Sequence, residues 1–152
     1  MIKKLFNELE KNKLIISSAE SVTGGRFAST IIENEGSSKY FKGGFICYSN
    51  EFKYNVLNVR KDIEIVSLEM AKDLAINSRI ISNSDISISF TGNASLNGIE
   101  KKKKGLVYIG ISNKNKTSLF KFESSMSQRK EIIEDITNYG IKLIIEFIEK
   151  NY

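Results

Sequence analysis

The stretch Ala19-Glu20-Ser21-Val22-Thr23-Gly24-Gly25 follows the apolar run Leu14-Ile15-Ile16 and leads into an amphipathic segment. The short, β-branched run is typical of a strand that is buried on both faces. Phe27, Ile31 and Ile32 then recur at helical spacing. The glycines lie where the chain must turn from strand into helix, and glycine allows dihedral angles and close backbone approach that a Cβ atom forbids. We interpret this turn as the floor of an active site.

The turn should leave free backbone N–H groups at the start of the second predicted helix. Such a helix end carries partial positive charge and suits a phosphate, a carboxylate or a developing oxyanion. On this interpretation Thr23, Gly24 and Gly25 bind the substrate. The alternative is an ordinary capped turn, because Ser and Thr are favoured N-cap residues whatever the function.

The length and charge of the chain limit the protein classes to which it can belong. Its 152 residues fit one domain, 1–152, with a substantial core. No apolar run approaches the ~20 residues that span a bilayer, and the N-terminus is unlike a secretory signal, so we expect a cytoplasmic protein without membrane contact. The net charge of +5 is scattered except at Lys101 to Lys104. Without interleaved aromatic and basic residues, nucleic-acid binding is not expected.

The chain has one cysteine, Cys47, and no histidine. This composition excludes an internal disulfide and Ser-His-Asp catalysis, and it argues against a zinc site. A serine nucleophile would need another base, for which lysine is the usual substitute. Cys47 lies inside an apolar run and is expected to be a buried, inert thiol.

Hydrophobic periodicity and turn residues predict a single α/β domain of three layers, with a mixed sheet flanked by helices. Helices are predicted at 2–12, 23–34, 52–57, 67–81 and from Arg129 onward, and strands at 13–18, 43–48, 85–90, 105–111 and 117–122. The strand at 43–48 is expected to be buried. The last two strands should form an antiparallel hairpin, whereas 93–104 should be a mobile, solvated loop. Gly140 should weaken the last helix by about 1 kcal/mol without breaking it.

Polar residues recur where two further strands end. Tyr48 and Lys53 lie on either side of a second strand-to-helix junction, and Thr91-Gly92 follows the third strand. Open α/β sheets bind their ligands in the crevice beyond such strand ends. These residues are therefore candidates for the same site as Ser21.

Five stretches, taken in order, resemble the C-terminal domain family of the competence/damage-inducible protein CinA, whose stand-alone members are nicotinamide-nucleotide amidohydrolases. The matching stretches are Ala19-Glu20-Ser21-x-Thr23-Gly24-Gly25, Gly36-Ser37-Ser38-x-Tyr40-Phe41, Gly43-Gly44-Phe45-x-x-Tyr48-Ser49-Asn50-Glu51-x-Lys53, Thr91-Gly92 and Gly105-x-Val107-Tyr108. Each is short, but together they cover nearly the whole chain. The resemblance implies metal-independent hydrolysis of the carboxamide of nicotinamide mononucleotide to a carboxylate, with release of ammonia, in pyridine-nucleotide salvage. It also implies a homo-oligomer, with a dimer expected first.

Amide hydrolysis needs a nucleophile, a base and donors for the oxyanion, and a nucleotide substrate also needs a phosphate site. Ser21 and Ser38 are the candidate nucleophiles, and the sequence leaves the choice open. Lys53 is the candidate base, with Tyr48 relaying or orienting the proton. A free lysine has a pKa of about 10.4, so burial or a neighbouring cation must lower the pKa of Lys53.

The resemblance also implies further substrate contacts. Thr91, with Gly92, matches a pocket-lining position and offers a hydroxyl to the substrate or the oxyanion. Arg129 matches a family arginine that meets the substrate phosphate, and a guanidinium grips phosphate through paired hydrogen bonds. Ser127 stands where the family has a glycine.

The sequence departs from the family pattern at two places. Val22 replaces a small residue or cysteine, which we expect to be harmless. After Thr91-Gly92 the family usually continues Ile-Ala-Gly-Pro, whereas this chain reads Asn93-Ala94-Ser95-Leu96-Asn97-Gly98. Because that loop loses a glycine and a rigid proline, its shape should differ. The alternative function is therefore an inactive homologue that binds a nucleotide or a protein partner, connected with competence or DNA damage.

Overall fold

The computed structural model describes residues 1–152, apart from the side chain of Ile99. Its strands are β1 (Ile16–Glu20), β2 (Phe41–Ile46), β3 (Ile86–Gly92), β4 (Leu106–Ser112) and β5 (Thr117–Glu123). Its helices are α1 (Ile2–Asn12), α2 (Arg26–Ile32), α3 (Asn50–Leu57), α4 (Leu68–Ser82) and α5 (Arg129–Asn151). Short 3₁₀ turns lie at Ser37–Lys39 and Ile99–Lys101.

The strands form one mixed sheet in the order β2-β1-β3-β4-β5. β1 runs parallel to both β2 and β3, whereas β4 is antiparallel to β3 and to β5. The predicted mixed sheet and its antiparallel hairpin are therefore confirmed. The chain leaves β1 toward one edge of the sheet and leaves β3 toward the other. The crevice beyond the carboxyl ends of β1 and β3 is thus the switch point at which α/β sheets bind ligands.

Helices cover both faces of the sheet, which confirms the predicted three layers. On one face, α1, α2 and α5 bury a large cluster that includes Leu5, Phe27, Phe90, Ile136 and Ile144. On the other face, α3 and α4 bury a smaller cluster that includes Ala19, Cys47, Leu57, Met70 and Leu74. Cys47 is fully buried, as expected.

β1 begins three residues later than predicted and extends to Glu20. Its register explains the difference, because Ile16 pairs with Ile86 and Glu20 pairs with Phe90 on the central strand β3. All five residues of β1 are buried. The two serines of the strand are buried with their hydroxyls bonded: Ser17 Oγ lies 2.7 Å from Ser84 Oγ, and Ser18 Oγ donates to Glu20 Oε1 at 3.3 Å.

α2 and β2 also differ from their predictions. α2 has seven residues rather than the predicted span 23–34, because Gly24 and Gly25 both adopt positive φ angles and delay its start. Ile32 is 59% exposed instead of buried. β2 is an edge strand whose side chains alternate in burial, so the prediction of a buried strand was wrong.

α5 runs without interruption through Gly140, as predicted, and buries one long face. The glycine has a packing function that the sequence did not reveal. A Cβ atom at position 140 would lie 2.4 Å from Cε1 of Phe90, far inside van der Waals contact. The absent side chain therefore makes room for the Phe90 ring, which also packs against Phe27 with ring centroids 5.4 Å apart.

The lysine run is bonded to other parts of the surface. Lys102 pairs with Glu64 at 2.7 Å, Lys103 pairs with Glu123 at 2.9 Å, and Lys104 Nζ donates to the Ser127 carbonyl. The run lies at the surface, as expected of a solvated loop, and three of its four lysines also bond to neighbouring segments. Among the helices of the described chain, none has both the length and the apolar character needed to cross a membrane.

Candidate active site

Ser21 lies directly beyond the carboxyl end of β1. Its backbone N–H donates to the Phe90 carbonyl of β3 at 3.0 Å, which holds the serine in the crevice between the two strands. Its hydroxyl bonds to no other group in the described part of the chain. Ser21 lines a cavity of about 210 Å³ together with Tyr48, Gly92, Asn93 and other residues of the loop after β3.

A second, more open hollow of about 450 Å³ adjoins this cavity and shares its Val22, Tyr48 and Arg129 lining. We call the two together the cleft, with a Ser21 side and a Thr23 side. The Thr23 side is lined by Thr23, Gly24, Gly25, Arg26, Ser29 and Ile133. None of these described residues is acidic. No carboxylate therefore repels an anionic ligand group from this side of the cleft, where Arg26 and Arg129 supply positive charge.

The backbone N–H groups at the start of α2 are not free, because Glu20 occupies them. Its Oε2 accepts hydrogen bonds from the N–H groups of Gly25 and Phe27, each at 3.0 Å. Its Oε1 accepts from the N–H of Ala28 at 2.9 Å. Glu20 is 1% exposed, so a buried carboxylate of the chain itself fills the predicted anion site. The expectation of free donors there was wrong, and the only sequence signal was a glutamate that ends a buried strand.

The preceding turn still offers backbone donors next to Ser21. The N–H of Gly24 closes the turn by donating to the Ser21 carbonyl at 3.1 Å. No hydrogen bond within the described chain uses the N–H of Val22 or of Thr23. An N–H immediately after a nucleophilic serine is a common oxyanion donor.

Lys53 is fully buried, although it carries a cationic side chain. Ser49 caps α3 by accepting from the N–H of Phe52, and this cap directs the first turn of the helix, with Lys53, toward the interior. Lys53 Nζ donates to the Tyr48 carbonyl oxygen at 3.3 Å. Burial lowers the pKa of Lys53 from its ordinary 10.5 because desolvation disfavours the ammonium form, and only the thiolate form of Cys47 opposes this effect.

Cys47 joins this region to the end of β1. Its N–H donates to the Glu20 carbonyl at 2.8 Å, and its Sγ donates to the same oxygen at 3.4 Å. Burial raises the pKa of the Cys47 thiol to about 11, so the thiol stays protonated and a poor nucleophile. Lys53 itself lines neither side of the cleft, and among the described residues its Nζ bonds to the Tyr48 carbonyl and not to Ser21.

Tyr48 presents its backbone to Lys53 and its side chain to Arg129. The Tyr48 hydroxyl accepts a hydrogen bond from Arg129 Nη2 at 3.3 Å, and the residue is 63% exposed. Arg129, the first residue of α5, also donates from Nη1 to Ser95 Oγ at 2.7 Å. The predicted residues Ser21, Tyr48, Gly92 and Arg129 thus meet in one cleft.

Ser38 lies away from the cleft in this chain. It is exposed on the turn Ser37–Lys39, which enters β2 at its amino end. The next residue but one, Tyr40, accepts a hydrogen bond from the N–H of Ile16, the first residue of β1. Ser21 follows the last residue of β1, so a strand length of about 16 Å separates the two serines.

The hydroxyl of Thr91 is also already hydrogen-bonded within the chain. It is buried and donates to the Ile65 carbonyl at 2.6 Å, which ties β3 to the segment before α4. Gly92 does line the cleft. A Cβ atom there would lie 2.5 Å from the Leu106 carbonyl oxygen, so the close approach of β4 requires glycine.

Sequence analysis did not assign functions to Asn93 and Ser95, which line the Ser21 side of the cleft. The only signal was their position, because they begin the loop that departs from the family pattern. In the described residues, no group of three or more His, Cys, Asp and Glu side chains could hold a metal ion.

Comparison with known proteins identifies similar chains. A family model described as the CinA C-terminal domain matches residues 1–148. A Bacillus subtilis (strain 168) protein that carries the name competence-damage inducible protein is 38% identical in an alignment of 154 positions that covers 99% of this chain and 37% of that protein. The chain thus spans little more than a third of the length of this relative.

Solved structures share the fold over almost their full length. The structure of competence damage-inducible protein A from Klebsiella pneumoniae superposes with a TM-score of 0.95 at 20% identity, covering 99% of this chain and 96% of that one. A competence/damage inducible protein from Agrobacterium tumefaciens gives a TM-score of 0.89 at 25% identity, covering 95% and 92%.

Proposed function

Because the chain belongs to the CinA C-terminal domain family, we propose that it hydrolyses the carboxamide of nicotinamide mononucleotide. The products are nicotinate mononucleotide and ammonia, as in pyridine-nucleotide salvage. Ser21 is the nucleophile and Lys53 is the base in this proposal. The observation that carries it is a fully buried lysine with a lowered pKa whose Nζ donates to the carbonyl of Tyr48, a residue that lines the cleft with Ser21.

The first half of the reaction transfers the acyl group to the protein. Ser21 Oγ forms a bond to the carboxamide carbon and gives its proton to the neutral amine of Lys53. The C–N bond then breaks, and the Lys53 ammonium returns a proton to the leaving nitrogen, which departs as ammonia. In the second half, water attacks the acyl carbon, Lys53 takes its proton, and the Ser21 Oγ–carbon bond breaks with return of that proton to Ser21.

Burial gives Lys53 the property that a general base needs. A lysine with its ordinary pKa is almost fully protonated at neutral pH and holds its proton too tightly. The dry surroundings of Lys53 lower that pKa, and no carboxylate in the described chain forms an ion pair that would restore it. The reaction as proposed needs no metal or cofactor.

The rest of the cleft fits the two ends of the substrate. The unused N–H groups of Val22 and Thr23 suit the oxyanion that forms when Ser21 attacks. Arg129 suits the phosphate, because its guanidinium lies in the cleft and can bind two phosphate oxygens at once. Thr23, Gly24 and Gly25 line the same side as Arg129 and are proposed to contact the ribose phosphate.

Ser21 is preferred over Ser38 as the nucleophile for a geometric reason. Ser21 has a hydroxyl that faces the cleft and no competing hydrogen bond among the described residues. Ser38 is exposed near the opposite end of β1. A nucleophile there would need a cleft assembled with another copy of the chain.

The test is ammonia release from nicotinamide mononucleotide by the purified protein and by four variants. Ser21→Ala and Lys53→Met should abolish turnover, whereas Ser38→Ala should retain it. Lys142→Met, at an exposed lysine of α5, is the matched control for Lys53→Met and should behave as the wild type. Turnover that survives in Lys53→Met would refute the proposed base.

Failure of the wild type to release ammonia would refute the amidohydrolase. Calorimetric binding of nicotinamide mononucleotide without turnover would then indicate the inactive nucleotide-binding homologue. The proposal also includes a cytoplasmic location and a homodimer, which cell fractionation and sedimentation equilibrium test. Binding to DNA is not part of it, and a fluorescence titration at low salt should detect none.

A further inference from the structure

The loop that departs from the family pattern is tied together by a buried side chain, Asn93. The Asn93 Oδ1 accepts from the N–H of Ser95 at 3.0 Å, and its Nδ2 donates to the Lys102 carbonyl at 2.8 Å. Its backbone bonds both to the Leu106 carbonyl and to the N–H of Gly105. Gly98 packs directly on the Asn93 amide, because a Cβ at position 98 would lie 1.8 Å from Nδ2.

This network ends at the arginine of the cleft. The Asn93 side chain fixes the backbone of Ser95, and Ser95 Oγ accepts the 2.7 Å hydrogen bond from Arg129 Nη1. Tyr48 holds the other terminal nitrogen through its hydroxyl. Two separate segments of the chain therefore hold one guanidinium, and no described carboxylate forms an ion pair with it.

We propose that Ser95 is a positioning residue that holds Arg129 in place for the phosphate of the substrate. This inference rests on the proposed function. In the family pattern a glycine stands at position 95 and offers no side-chain acceptor, so this chain supports its arginine in a different way. The loop that differs from the family pattern then positions Arg129 for phosphate binding through Ser95, and its difference does not indicate lost activity.

The physical reason is preorganisation. A long arginine side chain loses rotamer freedom when it binds a phosphate, and this loss weakens binding. A guanidinium has five N–H donors, and the bonds to Ser95 and Tyr48 use two of them. The remaining donors can grip a phosphate while the two existing bonds keep the group over the cleft. The support should affect substrate binding and leave the chemistry at Ser21 almost unchanged.

The experiment compares the wild type with Ser95→Ala, Ser95→Gly, Ser95→Thr and Arg129→Ala. Ser95→Ala and Ser95→Gly should raise KM for nicotinamide mononucleotide about tenfold and change kcat less than about twofold, as expected for one lost hydrogen bond to a charged group. Ser95→Thr keeps the hydroxyl and should restore the wild-type KM. Ser125→Ala, at an exposed serine before α5, is the matched control.

A second readout does not depend on turnover. Calorimetry with ribose 5-phosphate should show binding to the wild type, about tenfold weaker binding to Ser95→Ala, and weaker binding still to Arg129→Ala. Nicotinamide riboside, which lacks the phosphate, should bind the wild type and Ser95→Ala equally.

Two results would overturn the inference. One is an unchanged ribose 5-phosphate affinity in Ser95→Ala when Arg129→Ala is impaired, since Ser95 would then do nothing for the arginine. The other is an equal loss of nicotinamide riboside binding, which would indicate general damage to the cleft. If the protein binds ribose 5-phosphate as described but releases no ammonia, the proposed hydrolysis fails while the positioning by Ser95 stands.

Discussion

The Nζ atom of Lys53 donates a hydrogen bond of 3.3 Å to the backbone carbonyl oxygen of Tyr48, inside the protein. A carbonyl dipole offsets only part of the free energy that an ammonium group loses on leaving water. A buried lysine with such a partner destabilises the fold at neutral pH, and its position in α3 beside a cleft residue fits a function in catalysis.

Replacing Lys53 with methionine should make the protein more stable at pH 7, by about 1 kcal/mol, because an apolar chain of similar length needs no solvation. The folded-state pKa of Lys53 lies below its unfolded value of 10.5, so the unfolded chain binds more protons between these two values. Wild-type stability should therefore rise with pH across that window, and the rise should be smaller in Lys53→Met. Urea unfolding from pH 7 to 10.5 measures the stability at pH 7 and its pH dependence, with Lys142→Met as the control. If stability changed equally with pH in the wild type and in Lys53→Met, the lowered pKa of Lys53 would be contradicted.

The rate of amide hydrolysis should increase with pH in the wild type. Only the neutral amine of Lys53 accepts a proton, so log(kcat/KM) should climb with a slope near one and then level off at an apparent pKa below 10.5. The measurement is steady-state ammonia release across the pH range in which the protein remains folded. A flat profile would show that no such base limits the reaction.

Glu20→Gln should destabilise the protein by about 2 kcal/mol. The amide that replaces the carboxylate has one acceptor oxygen instead of two and no charge to stabilise the start of α2. Since α2 has only seven residues, it depends on this cap. Urea denaturation provides the comparison with Glu33→Gln, at an exposed glutamate just after the same helix; equal effects of the two variants would argue against the cap.

Thr91→Val should lower stability by about 1 kcal/mol and leave KM for the nucleotide unchanged. The hydroxyl of Thr91 is bonded to the Ile65 carbonyl, and its loss leaves that buried oxygen unsatisfied. Unfolding and steady-state kinetics on the same preparation separate the two effects. A raised KM with unchanged stability would favour the substrate contact that the sequence suggested.

Gly140→Ala should destabilise the protein by about 1–3 kcal/mol, although alanine favours helix by about 1 kcal/mol over glycine. The added methyl group overlaps the Phe90 ring, which cannot move freely inside the core. Asn138→Ala, on the exposed face of α5, reports the effect of helix propensity without the overlap. In Phe90→Leu the penalty of Gly140→Ala should shrink; an additive double mutant would place the strain elsewhere.

Much of the fold could be predicted because its signals are local. α3 and α4 lie close to their predicted positions, each with a serine N-cap, and the buried face of α5 follows its apolar spacing. The prediction of 13–18 included Ser17 and Ser18 but misplaced both ends of β1, because those ends are set by the pairing of Ile16 with Ile86 and of Glu20 with Phe90 on a distant strand. The exposure of β2 depends on its being an edge strand, which no local pattern encodes.

The candidate site could be predicted as a set of positions but not as a set of contacts. Ser21, Tyr48 and Gly92 meet because the carboxyl ends of the parallel strands β1, β2 and β3 lie at one edge of the sheet, and Arg129 joins them from the start of α5. Glu20 accepts hydrogen bonds from the N–H groups at the start of α2, and the Thr91 hydroxyl donates to the Ile65 carbonyl. Sequence analysis had assigned those N–H groups and that hydroxyl to a ligand. Which polar groups are already bonded within the chain is known only once the distant partners are in place.

The packing of Phe90 into the gap at Gly140 determines where α5 sits along its own axis. A helix packed only through aliphatic side chains can slide by a fraction of a turn at little energetic cost. α5 cannot, because only the gap at Gly140 accommodates the Phe90 ring. Arg129 lies about three turns before Gly140, roughly 16 Å along the same rigid helix. The helical segment from Arg129 to Gly140 therefore fixes the distance between the sheet and the start of α5, and this distance determines how far the arginine extends over the cleft.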